Sequence, residues 1–390
     1  VYVAEAGAPG SPARVLKVVP GKSRTTVAAD FPAPLTGITW HEAKLYVSYV
    51  GGVDVLDPET GLHHPVLAKL PTQGDHPNSP VAFGPDGKLY VGVGSATNAG
   101  VVGLDNVARG WVKNSPDAHD IPCKPVKLRG SNFSVPNPLT PDPHDHTATG
   151  AFSPFGKTTA RLQTVPGALP CTGSVLRANP DGTDLELVAW GLRYPASLAF
   201  GPDGQLYTAM QGYEERGSRP VQGDRDYLYR IVQDQWYGWP DFAGGRPVTS
   251  EEFQVPSFLL SEIPGQPPAP VATVAHGSGL TGITFPPEAF GLRGDALAAL
   301  TGSPPAGAPG LAQPGHMVVR INPRSGAVTP FLHNEQPLPA SATGSVGLER
   351  PVALAPAPGG KVYLVDYGQV RGEAREAVPG TGALWVIEHP

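Results

Sequence analysis

The chain has 390 residues, and glycine (49) and proline (47) make up about a quarter of it, roughly twice the usual share. Only 16% of residues are charged while 40% are hydrophobic, which excludes a disordered chain; the Gly and Pro density excludes long helices, and the lack of a Gly-X-Y period excludes collagen. The net charge of −6, without basic clusters, argues against a nucleic-acid partner, and no apolar run approaches the ~18 residues that a membrane helix needs. What remains is a turn-rich, all-β protein.

In chain order, residues 1–7 (VYVAEAG) read as the second half of a hairpin whose full form recurs later. The start at Val1-Tyr2-Val3 falls inside a strand pattern, so a processed or trimmed N-terminus is expected. Full copies follow at residues 35–51 (LTGITWHEAKLYVSYVG), 78–95 (NSPVAFGPDGKLYVGVGS), 194–212 (YPASLAFGPDGQLYTAMQG), 280–302 (LTGITFPPEAFGLRGDALAALTG) and 350–368 (RPVALAPAPGGKVYLVDYG). Pro-Asp-Gly supplies the reversal, and the flanking L-Y-V-G-V alternation has the period of a strand.

Aligned on the strand aromatic or its equivalent, the copies fall at Tyr2, Tyr46, Tyr90, Tyr207, Ala298 and Tyr363. The first spacings, about 44 residues, match one four-stranded propeller blade. A second phrase closes blades with an outer hairpin: RVLKVVPGKS (14–23), SVLRANPDGTDLELVAWG (174–191) and MVVRINPRSGAVTPF (317–331). The terminal ALWVIEH (383–389) is expected to join the blade begun by Val1-Tyr2-Val3 and close the ring.

The predicted architecture is one domain, residues 1–390, folded as a six-bladed β-propeller with a long loop insertion at about 96–172. Seven blades is the alternative, should that insertion hide one. The insertion carries Cys123 and Cys171. An even count fits one disulfide and an extracytoplasmic location; two unpaired thiols is the other reading.

In a propeller, chemistry belongs to residues just before the inner hairpins and just after their strands. Gly74-Asp75-His76-Pro77 offers an imidazole suited to take a proton near neutral pH. Arg193 precedes Tyr194-Pro195 in an extended segment and offers a cation to an anionic ligand or developing alkoxide. Gln211, with the Gly212 and Tyr213 carbonyls, offers oxygens suited to Ca²⁺. His276 enters another blade in a small-residue loop. Each has a bland counterpart: a hydrogen-bonded loop histidine, a salt-bridged arginine, a plain turn. His144-Asp145-His146 has metal-ligand spacing without a third ligand and reads as a solvated loop. Residues 94–103 (GSATNAGVVG) lack the Lys and helix of a phosphate cradle. No serine-nucleophile elbow occurs.

Three phrases carry a resemblance: HPNSPVAFGPDGKLYV (76–91), WGLRYPASLAFGPDGQLY (190–207) and YLYRIVQDQWYGWPDF (227–242), the YGWP of the last being the most specific. From about residue 35 onward the chain resembles the soluble pyrroloquinoline-quinone-dependent sugar dehydrogenases, the glucose/sorbosone dehydrogenase group. That resemblance implies a six-bladed propeller, pyrroloquinoline quinone and Ca²⁺ as cofactors, and a small sugar, alcohol or aldehyde substrate. It implies that His76 abstracts a hydroxyl proton, that Arg193 polarises the quinone, and that Tyr194, Gln211 and His276 lie at the cofactor. Gln211, Gly212 and Tyr213 are then the metal ligands. It does not name the electron acceptor.

The chain departs from the family at several points. Tyr194 replaces an Asn, Ala196 a Gln, and Ser95 the Asp that orients the base. Where basic residues clamp the cofactor's carboxylates, this chain has proline-rich residues 304–314, with His316 the nearest cation. A non-catalytic carbohydrate- or protein-binding propeller is the first alternative. A metal-dependent lactonase-like hydrolase is the second, with Asp75, Asp226 and Asp366 its only acidic candidates.

Overall fold

The computed structural model describes residues 1–7, 12–19, 21–302, 314–371 and 376–388. Six successive antiparallel sheets of three or four strands occur among them, joined in sequence order, as the six repeats predict. The first holds Tyr2–Glu5, Arg14–Lys17 and Thr25–Ala29. The second holds Leu35–His41, Lys44–Tyr49, Gly52–Leu56 and His63–Leu67. Ala82–Phe83, Leu89–Val93, Ser174–Ala178 and Glu186–Trp190 form the third. The fourth is made of Tyr194–Phe200, Leu206–Gln211, Asp226–Ile231 and Ala272–Val274. Leu280–Thr284, Ala296–Leu300, Met317–Ile321 and Val328–His333 make the fifth, and Pro351–Ala357, Lys361–Asp366 and Ala383–Glu388 the sixth. These are the blades of a six-bladed β-propeller.

The repeated turn has a physical reason beyond chain reversal. In the third blade Asp86 accepts the Lys88 amide and, through its other oxygen, the Tyr90 hydroxyl at 2.8 Å. In the fourth, Asp203 repeats both bonds with the Gln205 amide and the Tyr207 hydroxyl at 3.0 Å. The P-D-G-x-L-Y phrase is thus a turn that anchors the aromatic of the strand it starts. The LTGIT phrase has a packing reason. A Cβ on Gly37 would lie 2.4 Å from Pro80, and one on Gly282 would lie 2.6 Å from the Val352 carbonyl, so each glycine lets the next blade approach.

One connection differs from the sequence expectation. Ala383–Glu388 does not complete the blade begun by Val1-Tyr2-Val3. It pairs with Lys361–Asp366, with Val362 opposite Ile387 and Leu364 opposite Trp385. Tyr2–Glu5 pairs instead with Arg14–Lys17. The nearer antiparallel neighbour wins, and the pairing sets Trp385 and Ile387 against a core of Leu348, Leu354, Val362 and Leu364.

The insertion leaves the third blade after Leu89–Val93 and returns at Ser174–Ala178, with Val93 and Ser174 register partners. It is more ordered than the loop expected. Short helices lie at Leu104–Ala108 and Trp111–Asn114, and hairpins pair Val126–Lys127 with Thr164–Val165 and Asn132–Pro136 with His146–Gly150. Cys123 and Cys171 form a disulfide.

The chain packs as two compact units. One comprises Val1–Pro195, Glu214–Gln222 and Val232–Pro267, the other Ala196–Tyr213, Gly223–Ile231 and Pro268–Pro390. The first has a core of Tyr46, Val53, Leu89, Val91, Val93 and Leu176 beneath the disulfide. The second centres on Tyr207, Leu228, Ile283, Ala298 and Ile321. Leu89–Val93 and Ala296–Leu300 are buried along their whole length, as strands covered on both faces are.

Candidate active site

Four loop segments of the first unit build one buried polar cluster. They lie before the third blade (Asp75, His76), after its second strand (Ser95–Asn98), at the entry to the fourth blade (Arg193 and the first strand residue, Tyr194) and at Glu214–Arg216. His76 is buried, and its Nδ1 lies 2.8 Å from the Ser95 carbonyl oxygen and 3.1 Å from Ser95 Oγ. Because Ser95 Oγ itself donates to the Thr97 carbonyl, both Ser95 oxygens act as acceptors toward the ring. Nδ1 therefore carries the hydrogen, and Nε2 keeps its lone pair. The Tyr194 ring stacks on the imidazole at 5.1 Å. Gly94 makes the approach possible, since a Cβ there would meet His76 Cβ at 2.4 Å.

Burial and then the nearby Arg193 charge drive the His76 pKa down to about 3, against the opposing pull of Asp75 and Glu214. The ring is a neutral base at neutral pH. Tyr194 stays a phenol, its pKa pushed up to about 12 by burial against the lowering effect of Arg193.

Arg193 is 2% exposed. Asn98 holds it: Arg193 Nη2 donates to Asn98 Oδ1 at 2.9 Å and Nε to the same oxygen at 3.2 Å. Asn98 also ties the neighbouring segment down, its Nδ2 donating to the Glu214 and Arg216 carbonyls and its Oδ1 accepting the Glu214 amide. The Asn98 carbonyl accepts Trp239 Nε1, from the YGWP phrase.

An ionic network surrounds this pair. Glu214 Oε2 lies 3.2 Å from Arg193 Nη2, 3.6 Å from Arg109 Nη2, and closer still to Arg216 Nε. Arg216 also pairs with Asp75 at 2.8 Å and with Asp105. Asp75 accepts Trp111 Nε1 and Asn106 Nδ2 as well. Burial alone would raise Asp75 and Glu214. The cationic surroundings, Arg193 foremost for Glu214, outweigh it and hold both carboxyls below their ordinary values. Arg216 is raised, its three carboxylate partners outweighing burial.

A second tie connects the cluster to the disulfide. Buried Asp120 accepts the Ala96 amide, Thr97 Oγ1 and Thr172 Oγ1, and Thr172 adjoins Cys171. Burial pushes its pKa up to about 7 against those hydrogen bonds.

Of the residues named from sequence, the structure brings His76, Arg193 and Tyr194 together. Gln211, Gly212, Tyr213 and His276 gather in the second unit around two buried carboxylates. The Gly212 amide donates to Asp226 at 3.0 Å and the Tyr213 amide to Asp224 at 2.7 Å. His276 Nδ1 contacts the Asp224 carbonyl. His316 is buried, with Nδ1 donating to the Glu349 carbonyl at 2.6 Å. His144 and His146 are exposed on a hairpin, and the Asp145 carboxylate accepts from Asn137 and Thr140. The lactonase candidates are already engaged: Asp75 by Arg216, Asp226 by the Gly212 and Leu280 amides, Asp366 by the Glu349, Arg350 and Gly368 amides. Among the described residues no group of three His, Cys, Asp or Glu side chains could hold a metal ion. No helix among them is long and apolar enough to cross a membrane.

Sequence reasoning missed Asn98, Glu214, Arg216 and Asp120. The one available signal was Glu214-Glu215-Arg216, a charged triplet shortly after a blade strand, past Gly212 and Tyr213, in a chain poor in charge.

No protein-family model matches the chain. It is similar to the quinoprotein glucose dehydrogenase B of Acinetobacter calcoaceticus, 26% identical over 199 residues, which cover 50% of this chain and 32% of that protein. The match thus spans about a third of the length of that relative. Among solved structures, the pyranose dehydrogenase PQQ domain of Coprinopsis cinerea aligns with a TM-score of 0.53 at 12% identity, covering 96% of this chain and 87% of that one. The soluble aldose sugar dehydrogenase of Escherichia coli aligns with a TM-score of 0.51 at 13% identity, covering 95% and 89%. At such identities what is shared is the fold, and it is the propeller that the six repeats spell out.

Proposed function

We propose that the protein is a quinoprotein-type dehydrogenase that oxidises a sugar or related alcohol. The observation that carries this reading is the neutral, buried His76, its Nδ1 tied to Ser95 and its Nε2 lone pair available, beside the buried Arg193 guanidinium. The similarity to a quinoprotein glucose dehydrogenase supports it.

The donor set fits the carbonyl end of a quinone: one neutral base, one guanidinium, and an aromatic ring, Tyr194, which follows Arg193 in the sequence and stacks on the base. When bound, pyrroloquinoline quinone supplies the acceptor for the substrate's hydride. The chain supplies the rest. His76 Nε2 takes the hydroxyl proton, and the Ser95 carbonyl stabilises the imidazolium through Nδ1–H. Arg193, fixed by Asn98, presents a preorganised positive charge where negative charge develops on oxygen.

Ca²⁺ fits less well. Gln211 and the Gly212 and Tyr213 carbonyls are neutral oxygens, while the Asp224 and Asp226 carboxylates beside them already accept amide hydrogens. A hard cation has a place at this turn when a ligand brings oxygens of its own, and no step is assigned to it. The disulfide supports an extracytoplasmic location.

The test is reconstitution. The chain is mixed with pyrroloquinoline quinone and Ca²⁺, and cofactor absorbance and dye reduction are followed with a panel of aldoses. Absorbance changes on binding and sugar-dependent dye reduction are expected. An unaltered cofactor spectrum at saturating concentration eliminates the dehydrogenase and leaves the binding propeller.

A further inference from the structure

We infer that Glu214 is a specificity-determining residue: its carboxylate is the resident counter-ion of Arg193, Arg216 and Arg109, and it keeps anionic groups off this guanidinium cluster. Arg193 is thereby reserved for an uncharged oxygen. The inference takes from the proposed function only that Arg193 faces a ligand.

Three observations carry it. Oε2 of Glu214 approaches all three guanidiniums, at 3.2 Å from Arg193, 3.6 Å from Arg109 and in close contact with Arg216. Asn98 pins the Glu214 backbone at both its amide (2.9 Å) and its carbonyl (2.7 Å), so the carboxylate is held in place rather than drifting at the surface. The Glu214 side chain is also 42% exposed while that of Arg193 is 2% exposed, so an arriving ligand meets the carboxylate first.

The charges of the cluster balance. Asp75, Asp105 and Glu214 oppose Arg109, Arg193 and Arg216, and every guanidinium has a carboxylate within 4 Å. A buried, uncompensated guanidinium would attract any carboxylate in solution. A compensated one repels it, because the newcomer must be desolvated beside Glu214. A carbonyl or hydroxyl oxygen faces no such penalty. For a ligand bearing both carbonyls and carboxylates, as pyrroloquinoline quinone does, Glu214 then selects which end approaches Arg193.

The experiment measures citrate binding by calorimetry and thermal shift on the full chain. Citrate is expected to leave the Tm of the unaltered protein unchanged. Glu214→Gln should bind it at least tenfold more tightly and gain Tm with citrate concentration. Glu214→Asp, which keeps the charge, should behave like the original. Arg109→Gln added to Glu214→Gln restores the balance and should abolish the gain. Glu214→Ser, at a half-exposed position, serves as a second charge-removing variant should the glutamine fail to fold.

Equal citrate responses with and without the Glu214 charge overturn the inference. Tight citrate binding by the unaltered chain does so without any variant. A parallel absorbance titration with pyrroloquinoline quinone separates the two claims. Citrate gain without quinone binding removes the dehydrogenase reading and supports the counter-ion role. Quinone binding by the unaltered chain without citrate gain removes only the counter-ion role.

Discussion

His76 and Arg193 are joined through the main chain of Ser95, whose carbonyl accepts His76 Nδ1 at 2.8 Å and whose amide donates to the Arg193 carbonyl at 2.7 Å. One peptide segment therefore sets both the tautomer of the imidazole and the entry of the arginine. Replacing Ser95 by alanine keeps both main-chain bonds and removes the 3.1 Å hydroxyl contact to His76 and the 2.7 Å hydroxyl bond to the Thr97 carbonyl. We expect Ser95→Ala to retain most activity, within about tenfold, whereas His76→Gln should lose ~10²–10⁴-fold in kcat/KM.

The buried imidazole also leaves a signature in stability. The unfolded chain protonates His76 near its ordinary value of 6.5, while the folded protein does so only at about 3. Between those limits the unfolded state binds the extra proton, so stability falls as pH drops, by up to ~1.4 kcal/mol per pH unit. Denaturant unfolding of His76→Gln should show a shallower decline across this window than the original chain.

Asp120 acts with the opposite sign. Its folded pKa of about 7 stands above the carboxyl's ordinary 3.8, so the native state holds a proton that the unfolded chain has released. Its contribution is lost as pH rises from about 4 to about 7. Asp120→Asn should lack this slope. Asp120→Ala, which strands the Ala96 amide, Thr97 and Thr172, should cost ~1–3 kcal/mol at about pH 4, where the Asp120 contribution is fully present, read by urea unfolding.

The disulfide joins residues separated by 48 positions. Chain-entropy reasoning gives it about 4 kcal/mol. A Cys123→Ser/Cys171→Ser double variant should unfold at markedly lower denaturant concentration. Because Asp120 ties Thr172 to Ala96 and Thr97, next to Ser95, tryptophan emission near Trp111 and Trp239 should shift as well. A pure stability loss with an unchanged native spectrum would count against that link.

Arg219 and Asp241 form a buried pair at 2.7 Å, their side chains 1% and 0% exposed. Asp241 accepts the Leu259 and Leu260 amides too. Arg219→Met leaves a buried carboxylate without its cation and should cost ~3–5 kcal/mol, measured by equilibrium unfolding.

The blades were legible because their signals are local. Asp86 and Tyr90, or Asp203 and Tyr207, are four residues apart, and a turn with its anchored aromatic can be read from a single phrase. His76 and Arg193 stood out for a similar reason, each abutting such a phrase. Asn98 and Glu214 did not, since 116 positions separate them and neither belongs to a repeat. The same holds for Asp120, whose partners Thr97 and Thr172 lie 23 and 52 positions away. The pattern of the terminal strand fits any blade, and its place is settled only by tertiary pairing, here along the whole of Lys361–Asp366.

Val93 and Ser174 face each other in adjacent strands, so the chain departs on its 80-residue excursion and comes back one rung away. A tight turn of two residues could join the same ends. Asn98, Arg109 and Asp120 all ride on that detour, so the sidewall that tunes the histidine and the arginine is an appendage to the blade rather than part of its frame. Such a graft can be lengthened, exchanged or pruned while the sheet beneath it keeps its register, leaving ligand preference free to diverge on an unchanged scaffold.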